Sequence, residues 1–242
     1  MSKEIGQNIA KHLIRYDLEI IANLVKENSS VLDIGCGDGE LLNFLKNNKS
    51  ANCRGLEISQ EKVSKVLSLG ISALQGDADE DLHYFPDQNF DYAILSQTLQ
   101  ATKKPKEVLQ EMLRIAKYAI VSLPNFAYYK NRLHLAIKGT MPVNKDIPFQ
   151  WFETPNIHFC SIHDFEKLCN ELNFEIKCEI FLNRENILPK ALHSLFFANF
   201  AAQYGIFLVT KKEFKASTQE EFIFNKISKT TLVAATYKKI HE

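Results

Sequence analysis

The sequence has no excess of either charge. Lys and Arg together number 29, Asp and Glu 29, and the formal net charge is zero. Proteins that grip a phosphate backbone carry a basic excess, so nucleic acid is disfavoured as a partner. Long apolar runs are also missing. The most apolar stretch, SLFFANFAAQYGIFLV at 194–209, is interrupted by Asn199, Gln203 and Gly205 and is short for a bilayer span. It reads as a buried hairpin or strand, and no membrane segment is expected. The opening MSKEIGQNIAKHLI lacks a charged region followed by an apolar core, which argues against a signal peptide. No C-x-x-C occurs, and the five cysteines fall at 36, 53, 160, 169 and 178. That usage fits reduced cytoplasmic thiols better than disulfides or zinc. His134, His158 and His163 lack metal-ligand spacing, so no metal is expected.

What is present is a regular alternation. Residues 4–27 carry Ile5, Ile9, Leu13, Leu18, Ile21, Leu24 and Val25 at three- and four-residue steps, which predicts a helix broken by Ser29 and Ser30. Short strands are predicted at 31–35, 53–58, 71–77, 90–97 and 118–124. Helices are predicted from Glu40, over 60–69 and from Pro105 to about Ala116. Such alternation implies a parallel sheet with helices on both faces, and a ligand beyond the carboxyl ends of the strands. From Asn125 to Cys160 the rhythm breaks into a segment rich in proline and aromatics, read as a lid-like insertion. Ser161, with Asp164 three residues on, resembles a capping box for a following helix. FEIKCEIFL (174–182) and QYGIFLVTK (203–211) read as the last two strands, antiparallel to each other. Residues 1–212 thus form one domain, and 213–242 an extension of unknown role.

The stretch VLDIGCGDGELLNFL, 31–45, carries the chemistry. A dinucleotide fingerprint would be G-x-G-x-x-G, but here Gly35, Gly37 and Gly39 give G-x-G-x-G. Asp38 and Glu40 stand where helix amides would meet a pyrophosphate, and an acid there repels a second anion. A zwitterionic or cationic ligand suits this loop. S-adenosylmethionine, with its amine, carboxylate, sulfonium and ribose diol, is such a ligand. Glu57, eighteen residues after Gly39 at the end of the second strand, can accept from both ribose hydroxyls, with Ile58 beside it. Asp77, twenty residues further on and followed by Ala78, can receive the adenine amino group. Ser96 and Gln97 end the fourth strand, where backbone carbonyls can take the ligand's ammonium. Asp33 either braces the loop or touches the ligand, and Cys36 lies within the loop.

Catalysis is less marked. Methyl transfer from a sulfonium needs positioning more than acid–base help, so a missing base excludes nothing. No Pro-Pro follows the fourth strand, which disfavours methylation of nucleobases. Gln97, Thr98 and Gln100 offer amides and hydroxyls to a polar acceptor or a partner protein. His158 is the one weak candidate for a general base.

The segments RYDLEIIANLV, VLDIGCGDGELL, LSQTLQATKKPKEVLQEMLRIAKYAIVSLPNF and GTMPVNKDIPFQWFETPNIHFCSIHDFEKLC closely resemble the MetW family of methionine-biosynthesis proteins, from about residue 12 to 182. The resemblance implies a class I methyltransferase (Rossmann-like) α/β fold. Its sheet would be mostly parallel with an antiparallel last strand. It also implies a cytoplasmic partner required by, or regulating, a homoserine O-acyltransferase. The alternative is an active methyltransferase acting on a small molecule, releasing S-adenosylhomocysteine.

Overall fold

The computed structural model describes residues 15–144, 147–183, 186–189 and 195–212. Eight strands among these residues form one sheet: β1 (Ser30–Ile34), β2 (Asn52–Glu57), β3 (Ser72–Gln75), β4 (Phe90–Ser96), β5 (Ala116–Pro124), β6 (Phe174–Asn183), β7 (Asn186–Ile187) and β8 (Tyr204–Lys211). Their order is β3-β2-β1-β4-β5-β8-β6-β7. The first five run parallel. β8 enters antiparallel between β5 and β6, and β7 turns back on β6. The expected antiparallel pairing of the last two long strands is therefore present. The central strands β1, β4 and β5 are mostly apolar and buried, as strands covered on both faces require, whereas β2 and β3 towards the edge carry Arg54, Ser72 and Gln75.

One face carries α1 (Tyr16–Leu24), α2 (Glu40–Lys49) and α3 (Gln60–Ser68), and its core includes Ile21, Leu42, Val66 and Ile94. The other carries α4 (Pro105–Ile115) and α6 (Ile162–Glu171), packed on Leu32, Val121, Phe181 and Phe207. Pro105 opens α4, a position where its missing N–H costs nothing. The Ser161–Asp164 capping box is formed in full: each side chain accepts from the other residue's backbone N–H. Between β3 and β4 there is only the 3-10 turn Leu82–Tyr84, so the β2–β3 edge is thinly covered on that side.

Three elements depart from expectation. The segment 125–160 contains a helix, α5 (Tyr129–Lys138). Its exposed apolar residues at 133, 135 and 137 give no one-sided stripe. The stretch 194–209, expected as a hairpin or strand, begins with α7 (Leu195–Ala201), and only its second half is a strand. β7 is two residues long and carries no sequence signal. Of the helix expected over 4–27, α1 is the described part, and it ends at Leu24 because Val25 is already extended. Residues 4–14 of that expectation, and the extension 213–242, lie outside the described residues. No described helix is long and apolar enough to cross a membrane.

Candidate functional site

Strand order reverses direction between β1 and β4, and the expected site residues lie at the carboxyl ends of the strands around that point. Asp33 stands on β1, level with Gly55 of β2 and Ile94 of β4. The chain then turns through Gly35, Gly37 and Gly39, all with positive φ, into α2. At Gly35 (φ 71°) a Cβ would also lie 3.0 Å from Thr98 Oγ1, so a side chain there is disfavoured by both strain and crowding. At Gly37 a Cβ would meet nothing within 4 Å, so the loop is open at its crest.

Glu57 holds this loop. One carboxylate oxygen accepts from Gly37 N at 2.9 Å, and the other accepts from Ser59 N at 3.0 Å, at the start of α3. The side chain is buried yet keeps lone pairs for further donors. Asp33 is buried too, and among the described residues nothing donates a hydrogen bond to its carboxylate. Burial, reinforced by the nearby Glu57 charge, pushes its carboxyl up to about 8. No described ion pair neutralises either acid. The cleft floor is thus a pair of buried acids, Glu57 braced by two backbone amides and Asp33 without a donor among the described residues.

The other expected residues fall around this pair. Asp77 Oδ1 accepts from Asp79 N, and Asp77 N donates to Asp81, so the loop after β3 braces itself with its own acids. Asp79 in turn accepts from the backbone of Lys103 and Lys104, tying that loop to the segment after β4. Ala78 packs partly against the core, whereas Ile58 is exposed. Ser96 Oγ pairs with Ser122 Oγ at 3.2 Å. Gln97 adopts positive φ, a rare conformation for a residue with a side chain. The carbonyls of Ser96 and Gln97 already accept from Thr98 Oγ1 and Gln100 Nε2, so each has at most one lone pair left.

Two participants escaped sequence reasoning. Asp17, the second residue of α1, accepts from Gln97 Nε2 at 2.8 Å and from the Arg15 guanidinium at 2.9 Å. Arg15 N donates to Glu40 at the start of α2. The entry to α1 is thereby pinned beside the cleft. Only a polar pair ahead of an apolar periodicity marks this in the sequence. The second is the structural role of Gln100. Its backbone carbonyl accepts from both Ile157 N and His158 N, and among the described residues its buried side-chain Oε1 has no partner. The His158 ring is exposed, and among the described residues it makes no hydrogen bond.

Four of the five cysteines sit where burial disfavours a reactive thiolate. Desolvation pushes the Cys36, Cys53 and Cys169 thiols up to about 12 and Cys160 to about 11, away from the reactive thiolate. Among the described residues no three His, Cys, Asp or Glu gather as a metal set. A separate groove of about 370 Å³ is lined by Arg54, Leu56, Leu74 and Tyr84. Strand side chains alternate, so Arg54 and Leu56 point to the face of β2 opposite Glu57, and this groove is not the glycine-loop cleft.

Sheet order, glycine loop and strand-end acids define a class I methyltransferase-like protein. Comparison with solved structures agrees. A possible histamine N-methyltransferase from Thermotoga maritima, a SAM-dependent methyltransferase, superposes with a TM-score of 0.57 at 20% identity, over 87% of this chain and 96% of its own. The plantazolicin methyltransferase BpumL, solved with SAH, gives 0.58 at 16% identity, over 87% and 90%. Likeness at this identity concerns the fold. The family described as methionine biosynthesis protein MetW matches residues 15–209, and the chain belongs to that family. The bifunctional methionine biosynthesis protein MetXA/MetW of Rhodopirellula baltica is 37% identical over 177 residues, 69% of this chain. The chain spans 28% of that relative's length.

Proposed function

We propose that the chain binds S-adenosylmethionine at the glycine loop and serves as a partner that a homoserine O-acyltransferase requires or is regulated by. The observation that carries the ligand is the pair of buried acids, Asp33 and Glu57, beneath an open glycine loop, with no cationic side chain pairing them among the described residues. A ligand bearing an ammonium, a sulfonium and a ribose diol supplies both positive charge and donors. Glu57 would accept from the ribose. Asp33 would face the ligand's cationic end. The remaining lone pairs of the Ser96 and Gln97 carbonyls would take the ammonium, with Asp77, Ala78 and Ile58 along the adenine side. Gly35, Cys36, Gly37 and Gly39 would form the wall. When bound, the ligand's sulfonium offers a methyl group to a nucleophile. The partner role is supported by the relative in which MetXA and MetW share one polypeptide.

Titration calorimetry of the purified chain with S-adenosylmethionine tests the ligand. Saturable one-site heat is expected, and a flat titration would remove the assignment. A second reading, methyl transfer to a small polar acceptor, is favoured by Gln100 Oε1, a buried acceptor awaiting a donor. It requires formation of S-adenosylhomocysteine with a defined metabolite above the protein-free blank.

A further inference from the structure

We propose that the exposed apolar residues of α5, of the strap 147–160 and of α7 together form the surface on which the homoserine acyltransferase seats. The inference rests on the partner reading above and adds where the contact is made. Of the ten residues of α5 only Asn131 is buried, while Leu133 and Ile137 are exposed, Ile137 to 79%. A ten-residue helix is marginal in water without a packed face, and among the described residues α5 lacks a cover. On the strap, Trp151 is 70% exposed and meets exposed Phe152 edge-on at 5.6 Å. Large exposed apolar patches of this kind mark interaction sites, and aromatic residues are the usual energetic centres of protein interfaces.

α5, α7 and the two ends of the excursion are tied together. Tyr129 of α5 stacks on Phe200 of α7 at 5.4 Å. Asn125 donates to the carbonyls of Asn199 and Ala202, and Phe126 N donates to Cys160 O where the excursion closes. The face is also joined to the cleft. The strap amides of Ile157 and His158 rest on the Gln100 carbonyl, and the Gln100 side chain donates to Gln97 O.

The chemistry favours a protein over a lipid surface. Residues 147–160 carry one acid, Glu153, and no Lys or Arg. Two of the three cations of α5, Lys130 and Arg132, lie over their own chain's Tyr129 and Phe200 rings, which leaves only Lys138 at its C-terminal end without such a contact among the described residues. An anionic membrane would need those cations free. The acyltransferase is the occupant of choice because the whole face lies within the family match at 15–209, and the bifunctional relative holds the MetXA and MetW parts together in one chain. This chain accounts for 28% of that relative, which leaves ample length for the second part.

The test uses the full chain and the acyltransferase of the same source in sedimentation-velocity titrations. The variants are Trp151→Ser with Phe152→Ser on the strap and, independently, Ile137→Ser on α5. A control pair, Leu74→Ser with Tyr84→Ser, alters the exposed apolar residues at the other edge of the sheet. The unchanged chain and the control are expected to form the complex, and the strap and α5 variants to bind about tenfold or more weakly at unchanged melting temperature. Equal binding by all variants would overturn the surface and leave the partner reading intact. No complex with the unchanged chain would overturn both. Self-association of the unchanged chain, or its co-sedimentation with anionic phospholipid vesicles, would also overturn the proposal if abolished by the same substitutions.

Discussion

Asp33 and Glu57 are neighbours with different circumstances. Glu57 has two backbone donors and Asp33 has none among the described residues. With its carboxyl raised from 3.8 to about 8, Asp33 keeps its proton in the folded chain up to about pH 8. The unfolded chain releases that proton above about pH 4. Folding therefore takes up a proton in this window, and the Asp33 contribution lowers stability as pH rises, by at most about 1.4 kcal/mol per pH unit. Asp33→Asn removes the dependence. In urea unfolding of the ligand-free chain, the stability gained by Asp33→Asn is expected to grow from pH 5 to pH 8. A gain that is constant with pH would contradict the buried, donor-free carboxyl. For Glu57 the expected effect is on binding. Glu57→Ala frees the amides of Gly37 and Ser59 and removes the ribose acceptor, so affinity for S-adenosylmethionine should fall about tenfold or more, since a hydrogen bond to a charged group is worth about 1.5–3 kcal/mol. Glu57→Gln can still accept one of the two amides and should fall between. Calorimetry ranks the three chains, and equal affinities would remove Glu57 from the site.

Elements differ in how plainly the sequence declares them. β1, β4 and β5 are apolar runs such as VLDI and YAIVSL, bounded by turn residues, and a buried parallel strand is the economical reading of each. The α6 start was legible for a local reason, since Ser161 and Asp164 need only each other. That pair carries a prediction. Ser161→Ala leaves the Asp164 amide without its acceptor, and should lower stability by about 1 kcal/mol in urea unfolding without changing ligand affinity. Unaltered stability would mean that the box contributes nothing. α5 and α7 were illegible because their residue types do not segregate by side. α5 has no core to face, and α7 is LFFANFA, a run as apolar as a strand. The glycine loop and the acids at the strand ends could be located from spacing alone. The Asp17–Gln97 tie and the Gln100 junction could not. They join residues 80 apart, or depend on a carbonyl that any residue type possesses.

At the scale of the molecule, the parallel half of the sheet presents the cleft, and the antiparallel half with the 125–160 excursion presents the apolar face. The Gln100 junction lies between them. A chain so arranged is suited to read a ligand on one side and engage a partner on the other, which is the role proposed for this MetW-family member. The most direct test is the activity of homoserine acyltransferase from the same source, assayed alone, with this chain, and with the chain across a titration of S-adenosylmethionine. The account predicts that activity depends on the chain and shifts with S-adenosylmethionine. Acyltransferase activity indifferent to the chain at every ligand concentration would contradict it.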